Sequence, residues 1–254
     1  MTDSAKQPDA KEGRLAWLND IPDDQWSVYQ TVIAEARARS LPFALGGAFA
    51  LATYTGHWRN TKDLDLFILP ESRDDFVDTL THSGLSDYYD QLEYDRSWIY
   101  RAHREEIIVD VIWSMANHHA SVDDAWLTCG PELNVRGEHI RVLPVEEVIW
   151  NKLYILHHDR CDWPDVLNLV SAAGPTLDWN YLLGRVAEDI ALLRGLLSVF
   201  IWLSPIHAAA LPAWLWQRLQ LPAPAAEGMS ETDHHRADLL DTRPWFTSML
   251  ADQA

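Results

Sequence analysis

Three aspartates stand out for the company they keep. Asp63 and Asp65 lie one residue apart in KDLDLFIL, and Asp110 sits in IIVDVIW with three apolar residues on either side. A strand alternates faces, so Asp63 and Asp65 point one way while Leu64, Leu66 and Ile68 point the other. Two like charges side by side repel, and each is costly to bury, so the pattern calls for a positive group between them. If strands 63–69 and 107–113 are neighbours, three carboxylates converge on one sheet face. Such a set attracts a hard dication, Mg²⁺ with Mn²⁺ as an open alternative, which prefers oxygen ligands and phosphate co-ligands. Its chemistry would be to activate an attacking oxygen and stabilise a leaving phosphate. The plainer alternative for Asp110 is an ion pair with Arg101 or Arg104.

Gly46-Gly47 precedes a segment that reads as a helix starting at Ala48. Backbone N–H groups at a helix start, with no side chains in the way, hold phosphate. Arg59, Thr61 and Lys62 lie just before the carboxylate strand and would add donors. Each piece has a bland reading: a glycine pair is a turn, and D-x-D is a solvated strand end or a helix cap. Their joint order, with strand-like flanks, favours the chemical reading.

The elements that must position these residues follow from pattern. After Asp23-Asp24, the residues Trp26, Tyr29, Val32, Ile33 and Ala36 keep helical spacing. PFALGG reads as a short strand ending in a turn, AFALATYTG as a helix stopped by Gly56, and KDLDLFIL as a strand ended by Pro70. ESRDDFVDTLTHSG is an amphipathic helix with Gly84 at its end. SWIYRAHREEIIVDVIW reads as two strands joined near 104–106, a hairpin without a strong turn signature. EHIRVLP is a further short strand. From Val145 the pattern is helical almost to Pro205, with breaks at 161–164 and at Gly174-Pro175. The expected fold class is α+β: a small mixed sheet flanked by helices, then a C-terminal helical domain. The expected divisions are a disordered tail at 1–13, a catalytic domain at 14–143, a helical domain at 144–220 and a loosely ordered tail at 221–254.

Composition bounds the partners. The 254 residues carry 20 basic and 38 acidic side chains, a net charge of −18. Such a chain is repelled by nucleic-acid backbones and anionic membranes, so neither an extended nucleic acid nor a membrane is an expected partner. Two cysteines, Cys129 and Cys161, make neither a disulfide framework nor a four-ligand zinc site, and a reduced, cytoplasmic setting is the simplest reading. The most apolar stretch, Leu192 to Leu203, is too short to span a bilayer and reads as a buried helix.

The order strand, Gly46-Gly47, helix, strand with Asp63 and Asp65, and later strand with Asp110 resembles the polymerase-beta-type nucleotidyltransferase superfamily. GHWRNTKDLDLFI is similar to the Arg-x-Thr-x-Asp-x-Asp segment of minimal bacterial members, matched by Arg59, Thr61, Asp63 and Asp65. The resemblance covers residues 43–113. It implies that Asp63 and Asp65 hold Mg²⁺ and, through it, a nucleoside triphosphate such as ATP. It implies that Asp110 ligates the catalytic metal and takes the acceptor's proton. The implied reaction is in-line attack of an unidentified hydroxyl acceptor (small molecule, protein or RNA end) on the α-phosphate, releasing pyrophosphate.

In the helical half, Val145, Val148, Ile149, Leu153 and Leu156 project onto one helix face, with Lys152 near its centre. A lysine there must snorkel or meet an anion, either within the core or as a triphosphate in the cleft. Arg160, Asp162 and Asp165 follow, and Pro164 suits a first helical turn, so at least one of these aspartates is expected to cap that helix. Lys152, Arg160, Asp162 and Asp165, in the order K…R.D..D, also resemble abortive-infection-type nucleotidyltransferase toxins, in which a similarly placed Lys and Arg-Asp pair line the nucleotide cleft. That makes an antitoxin an alternative partner. A catalytically silent nucleotide- or partner-binding protein of the same fold is another reading. Histidine doublets at 118–119, 157–158 and 234–235 raise a metal-phosphohydrolase reading, in which His158 and Asp159 would matter more than Asp63 and Asp65.

Overall fold

A computed structural model describes residues 15–224 and Arg236. The expected tail at 1–13, nearly all of that at 221–254, and the histidine doublet at 234–235 lie outside the described residues. The chain forms two compact units that divide between Pro144 and Val145.

The first unit is built on a five-stranded mixed sheet. Its elements are α1 (Asp23–Ala38), β1 (Ala44–Leu45), α2 (Gly47–Thr55), β2 (Asp63–Phe67), α3 (Arg73–His82), β3 (Ser86–Asp87), β4 (Ile99–Arg104) and β5 (Ile107–Ile112). The strand order is β1-β2-β5-β4-β3, with β2 and β5 parallel and the other pairs antiparallel. A short helix α4 (Asp124–Thr128) and a two-stranded hairpin, β6 (Glu132–Val135) and β7 (Glu138–Arg141), complete it.

Local chemistry explains the elements. Asp23 and Asp24 sit in the first turn of α1 and Arg37 in its last, charges that complement the helix dipole. The face read from the sequence, Trp26, Tyr29, Val32, Ile33 and Ala36, is buried. Helix α2 stops at Gly56, which adopts the left-handed conformation at φ 78° and returns its N–H to the Ala52 carbonyl. Helices α1 and α3 pack on each other and on β5. Leu64, Leu66, Val109 and Val111 are fully buried. Each such side chain contributes on the order of 1.5–3 kcal/mol, which holds the sheet despite the carboxylates on its other face.

Strands β3 and β6 were not expected. Two residues, Ser86 and Asp87, show no periodicity to read. For β6 a signal existed in NVRGEH: Arg136 and Gly137 both have positive φ, at 50° and 93°, the turn that closes a tight hairpin.

The second unit is helical: α5 (Val145–Leu153), α6 (Trp163–Ala173), α7 (Trp179–Val186), α8 (Ile190–Leu203), α9 (Pro205–Ala209) and α10 (Ala213–Arg218). Helix α5 packs on α6 and α7, and α8 packs on both of them. The apolar stretch 192–203 lies inside α8. Among the described residues no helix is long and apolar enough to cross a membrane. The projected face of α5 needs one correction. The helix ends at Leu153, so Leu156 falls beyond it and is 47% exposed.

Candidate active site

The parallel pairing of β2 with β5 puts Asp65 opposite Asp110 and Asp63 opposite Ile108. Residues opposite one another in a parallel pair share a face, so Asp63, Asp65 and Asp110 stand on one side of the sheet. Asp63 and Asp65 are half-buried, whereas Asp110 is buried at 2% exposure.

Asp110 has the plainer partner considered for it, Arg101. It faces Asp110 across the β4–β5 hairpin, where Nε donates to Oδ1 at 2.7 Å and Nη2 to Oδ2 at 2.5 Å. Burial pushes the Asp110 carboxyl above the usual aspartate range, and the guanidinium pulls against that shift. The hydrogen bond to Asp110 raises Arg101 further above its ordinary value, with smaller contributions from Asp63 and Asp65. Arg104, the other partner considered, donates instead to the Ser83 carbonyl. Tyr29, read from the sequence as a core residue only, also feels this face. Burial raises its hydroxyl pKa, and Asp63 and Asp65 raise it further.

The glycine turn meets the carboxylates directly. A Cβ on Gly47 would fall 1.7 Å from Asp65 Oδ2, and its φ of +49° disfavours any other residue. A Cβ on Gly46 would fall 2.2 Å from the Phe67 ring. The Gly46 N–H donates to the Asp65 carbonyl at 2.9 Å, so this donor ties the turn to β2. Arg59, Thr61 and Lys62 are exposed in the loop leading into β2. The Lys62 amine pairs with Glu106 at the β4–β5 turn.

Lys152 and Arg160 are engaged within their own unit. Lys152, buried at 8% exposure, donates to Asp162 Oδ2 at 2.6 Å and to Asp165 Oδ2 at 2.7 Å. Arg160 reaches the same Asp162 through Nε at 2.9 Å and Nη2 at 3.0 Å. The expectation that Asp162 or Asp165 caps this helix is corrected for Asp162. Asp162 occupies the N-cap position of α6, but its side chain makes no cap hydrogen bond. Burial raises the Asp162 pKa, yet the Arg160 hydrogen bond and the Lys152 charge outweigh it and hold the group below the usual range. A second buried pair went unread: Glu147 on α5 accepts from Arg185 Nε at 2.9 Å and from the Tyr181 hydroxyl. His157, His158 and Asp159 are exposed on a turn closed by the His157 N–H to the Arg160 carbonyl.

The chemistry of the donor set suits a hard cation: three carboxylates on one face, all oxygen, with Gly47 packed against Asp65. Among the described residues, however, no three His, Cys, Asp or Glu side chains group as a metal site.

No family model matches the chain, and no curated protein matches it. Solved structures do. The solution structure of the antibiotic-resistance factor ANT(2'')-Ia aligns with a TM-score of 0.49 at 18% identity, over 70% of this chain and 98% of that one. The lincomycin-bound lincosamide antibiotic adenylyltransferase LnuA aligns with a TM-score of 0.42 at 16% identity, over 60% and 98%. JHP933 from Helicobacter pylori aligns with a TM-score of 0.40 at 11% identity, over 92% and 96%. The solved structures to which this chain is similar thus include antibiotic nucleotidyltransferases.

Proposed function

We propose that this chain is a divalent-metal-dependent nucleotidyltransferase that moves a nucleoside monophosphate from a triphosphate to a hydroxyl acceptor. The observation that carries the reading is the in-register pairing of Asp65 with Asp110, which gathers three carboxylates on one face beside a glycine turn. Asp63, Asp65 and Asp110 would hold Mg²⁺. When bound, that cation supplies neutralisation of phosphate charge and a lowered pKa for the attacking hydroxyl. Gly46 and Gly47, at the start of α2, would face the triphosphate through their backbone, and Arg59, Thr61 and Lys62 offer it donors. The acceptor oxygen bonds to the α-phosphorus. The bond from that phosphorus to the bridging oxygen breaks, and pyrophosphate leaves. The hydroxyl proton passes to the Asp110 carboxylate, whose proton affinity burial increases. Positioning and charge neutralisation carry the rate, with no covalent enzyme intermediate. A small cationic acceptor fits a chain of net charge −18.

One observation favours a second reading, a catalytically silent binder: both Asp110 oxygens are taken by Arg101. Calorimetry of nucleoside triphosphate binding, with and without Mg²⁺, separates the two. Mg²⁺-dependent binding by the wild type that is lost in Asp63→Ala/Asp65→Ala is the expected result. Binding indifferent to Mg²⁺ favours the silent binder, and no binding by the folded wild type overturns the enzyme reading.

A further inference from the structure

One arginine stands among three like charges. Arg101 uses the two arms of its guanidinium to bind both oxygens of Asp110, and the Asp110 side chain is only 3% exposed. This bidentate fork is the strongest hold an arginine has on a carboxylate. It leaves little open surface on Asp110 for another ligand. The backbone register aligns three aspartates, yet no three carboxylates group as a metal site among the described residues. Arg101 is itself anchored: the Tyr94 hydroxyl accepts its backbone N–H at 2.8 Å and donates to its carbonyl at 3.3 Å, and the Tyr88 ring lies 5.7 Å from the guanidinium carbon.

We propose that Arg101 is a tethered cation that competes with the divalent ion for Asp110, so that loading the third carboxylate requires the Arg101–Asp110 pair to open. The identity of the competing ion rests on the nucleotidyltransferase reading above. A dication brings two positive charges to a face with three negative ones, where the guanidinium brings one. Oxygen donors are what Mg²⁺ and Mn²⁺ prefer. Once released, the guanidinium remains beside the same face, suited by its planar fork to phosphate oxygens. Arg101 is thus a positioning residue that sets the threshold for metal binding.

Mn²⁺ binding, followed by electron paramagnetic resonance without nucleotide, tests this on the full chain. The set is wild type, Arg101→Gln, Arg101→Lys, Asp110→Asn and Arg101→Gln/Asp110→Asn, with near-ultraviolet circular dichroism as the check on folding. Arg101→Gln is expected to bind Mn²⁺ at least about tenfold more tightly, because it removes a unit positive charge held a few ångströms from the metal's ligand. Arg101→Lys, which keeps the charge and loses the fork, should fall between. The gain must vanish in the Asp110→Asn background, which removes the contested carboxylate but not the general field. Wild-type binding that Arg101→Gln fails to tighten, or a gain that persists without Asp110, overturns the competition and leaves the enzyme reading intact. No Mn²⁺ binding by any folded variant overturns both. If Arg101→Gln does not fold, an Arg101→Lys affinity equal to or weaker than wild type overturns the proposal.

Discussion

Asp65 and Asp110 stand opposite one another in the parallel pair of β2 and β5, with Asp63 on the same face. Replacing Asp63 or Asp65 by Asn should abolish Mg²⁺-dependent triphosphate binding and lower turnover by at least about 10²–10³-fold. Both are half-buried and belong to a like-charged set, so the fold should survive, with an unchanged or slightly raised Tm. Calorimetry and thermal melting on the same samples check both halves of this statement.

Gly47 and Gly46 should fail differently. Gly47→Ala sets a methyl group 1.7 Å from Asp65 Oδ2 at a φ of +49°. A strained backbone of this kind costs on the order of 1–3 kcal/mol, and the displaced carboxylate should take triphosphate binding with it. Gly46→Ala presses on the Phe67 ring, an overpacking cost of about 1–3 kcal/mol in the core. Urea denaturation should show a loss for both, with binding affinity per folded molecule falling further for Gly47→Ala.

Lys152 is placed to make its removal expensive. Lys152→Met leaves Asp162 and Asp165 buried without the amine between them, an expected loss of about 3–5 kcal/mol. Replacing Lys152, Asp162 and Asp165 together by apolar residues of similar volume should recover much of that. Denaturant midpoints of the single and triple variants decide between an ion cluster that stabilises and one that is merely tolerated.

Acid should weaken the second unit through Asp162. Its folded-state pKa lies below its ordinary value of 3.8. A depressed carboxylate contributes stability that is present above the unfolded value and lost as pH falls through the folded one. Tm should therefore drop as pH falls below about 3.8, and the drop should be smaller in Asp162→Asn, which has no proton to gain there.

Much of this was legible in the chain itself because it is local. The parity of Asp63 and Asp65, the buried face of α1, the stops at Gly56 and Gly84 and the β4–β5 hairpin all follow from periods of two or 3.6 residues and from glycine's conformational freedom. The same local reading mistook Leu156 for a face residue, because periodicity does not say where a helix ends. It also offered Asp162 or Asp165 as a cap, because spacing alone does not weigh a cap hydrogen bond against a buried lysine.

What only the tertiary structure decided is who faces whom. A strand's pattern says which side a residue takes, but not which other strand it pairs with or in what register. That β2 lies parallel to β5 with Asp65 against Asp110 comes from hydrogen bonds between segments far apart in the chain. The choice of Arg101 over Arg104 depends on a two-residue turn whose Glu105 takes a positive φ of 55° that nothing in its side chain announces. The sequence determined that the buried charges needed partners, since burial without them is too costly. Only packing determined that Asp110 found Arg101 and that Lys152 found Asp162 and Asp165.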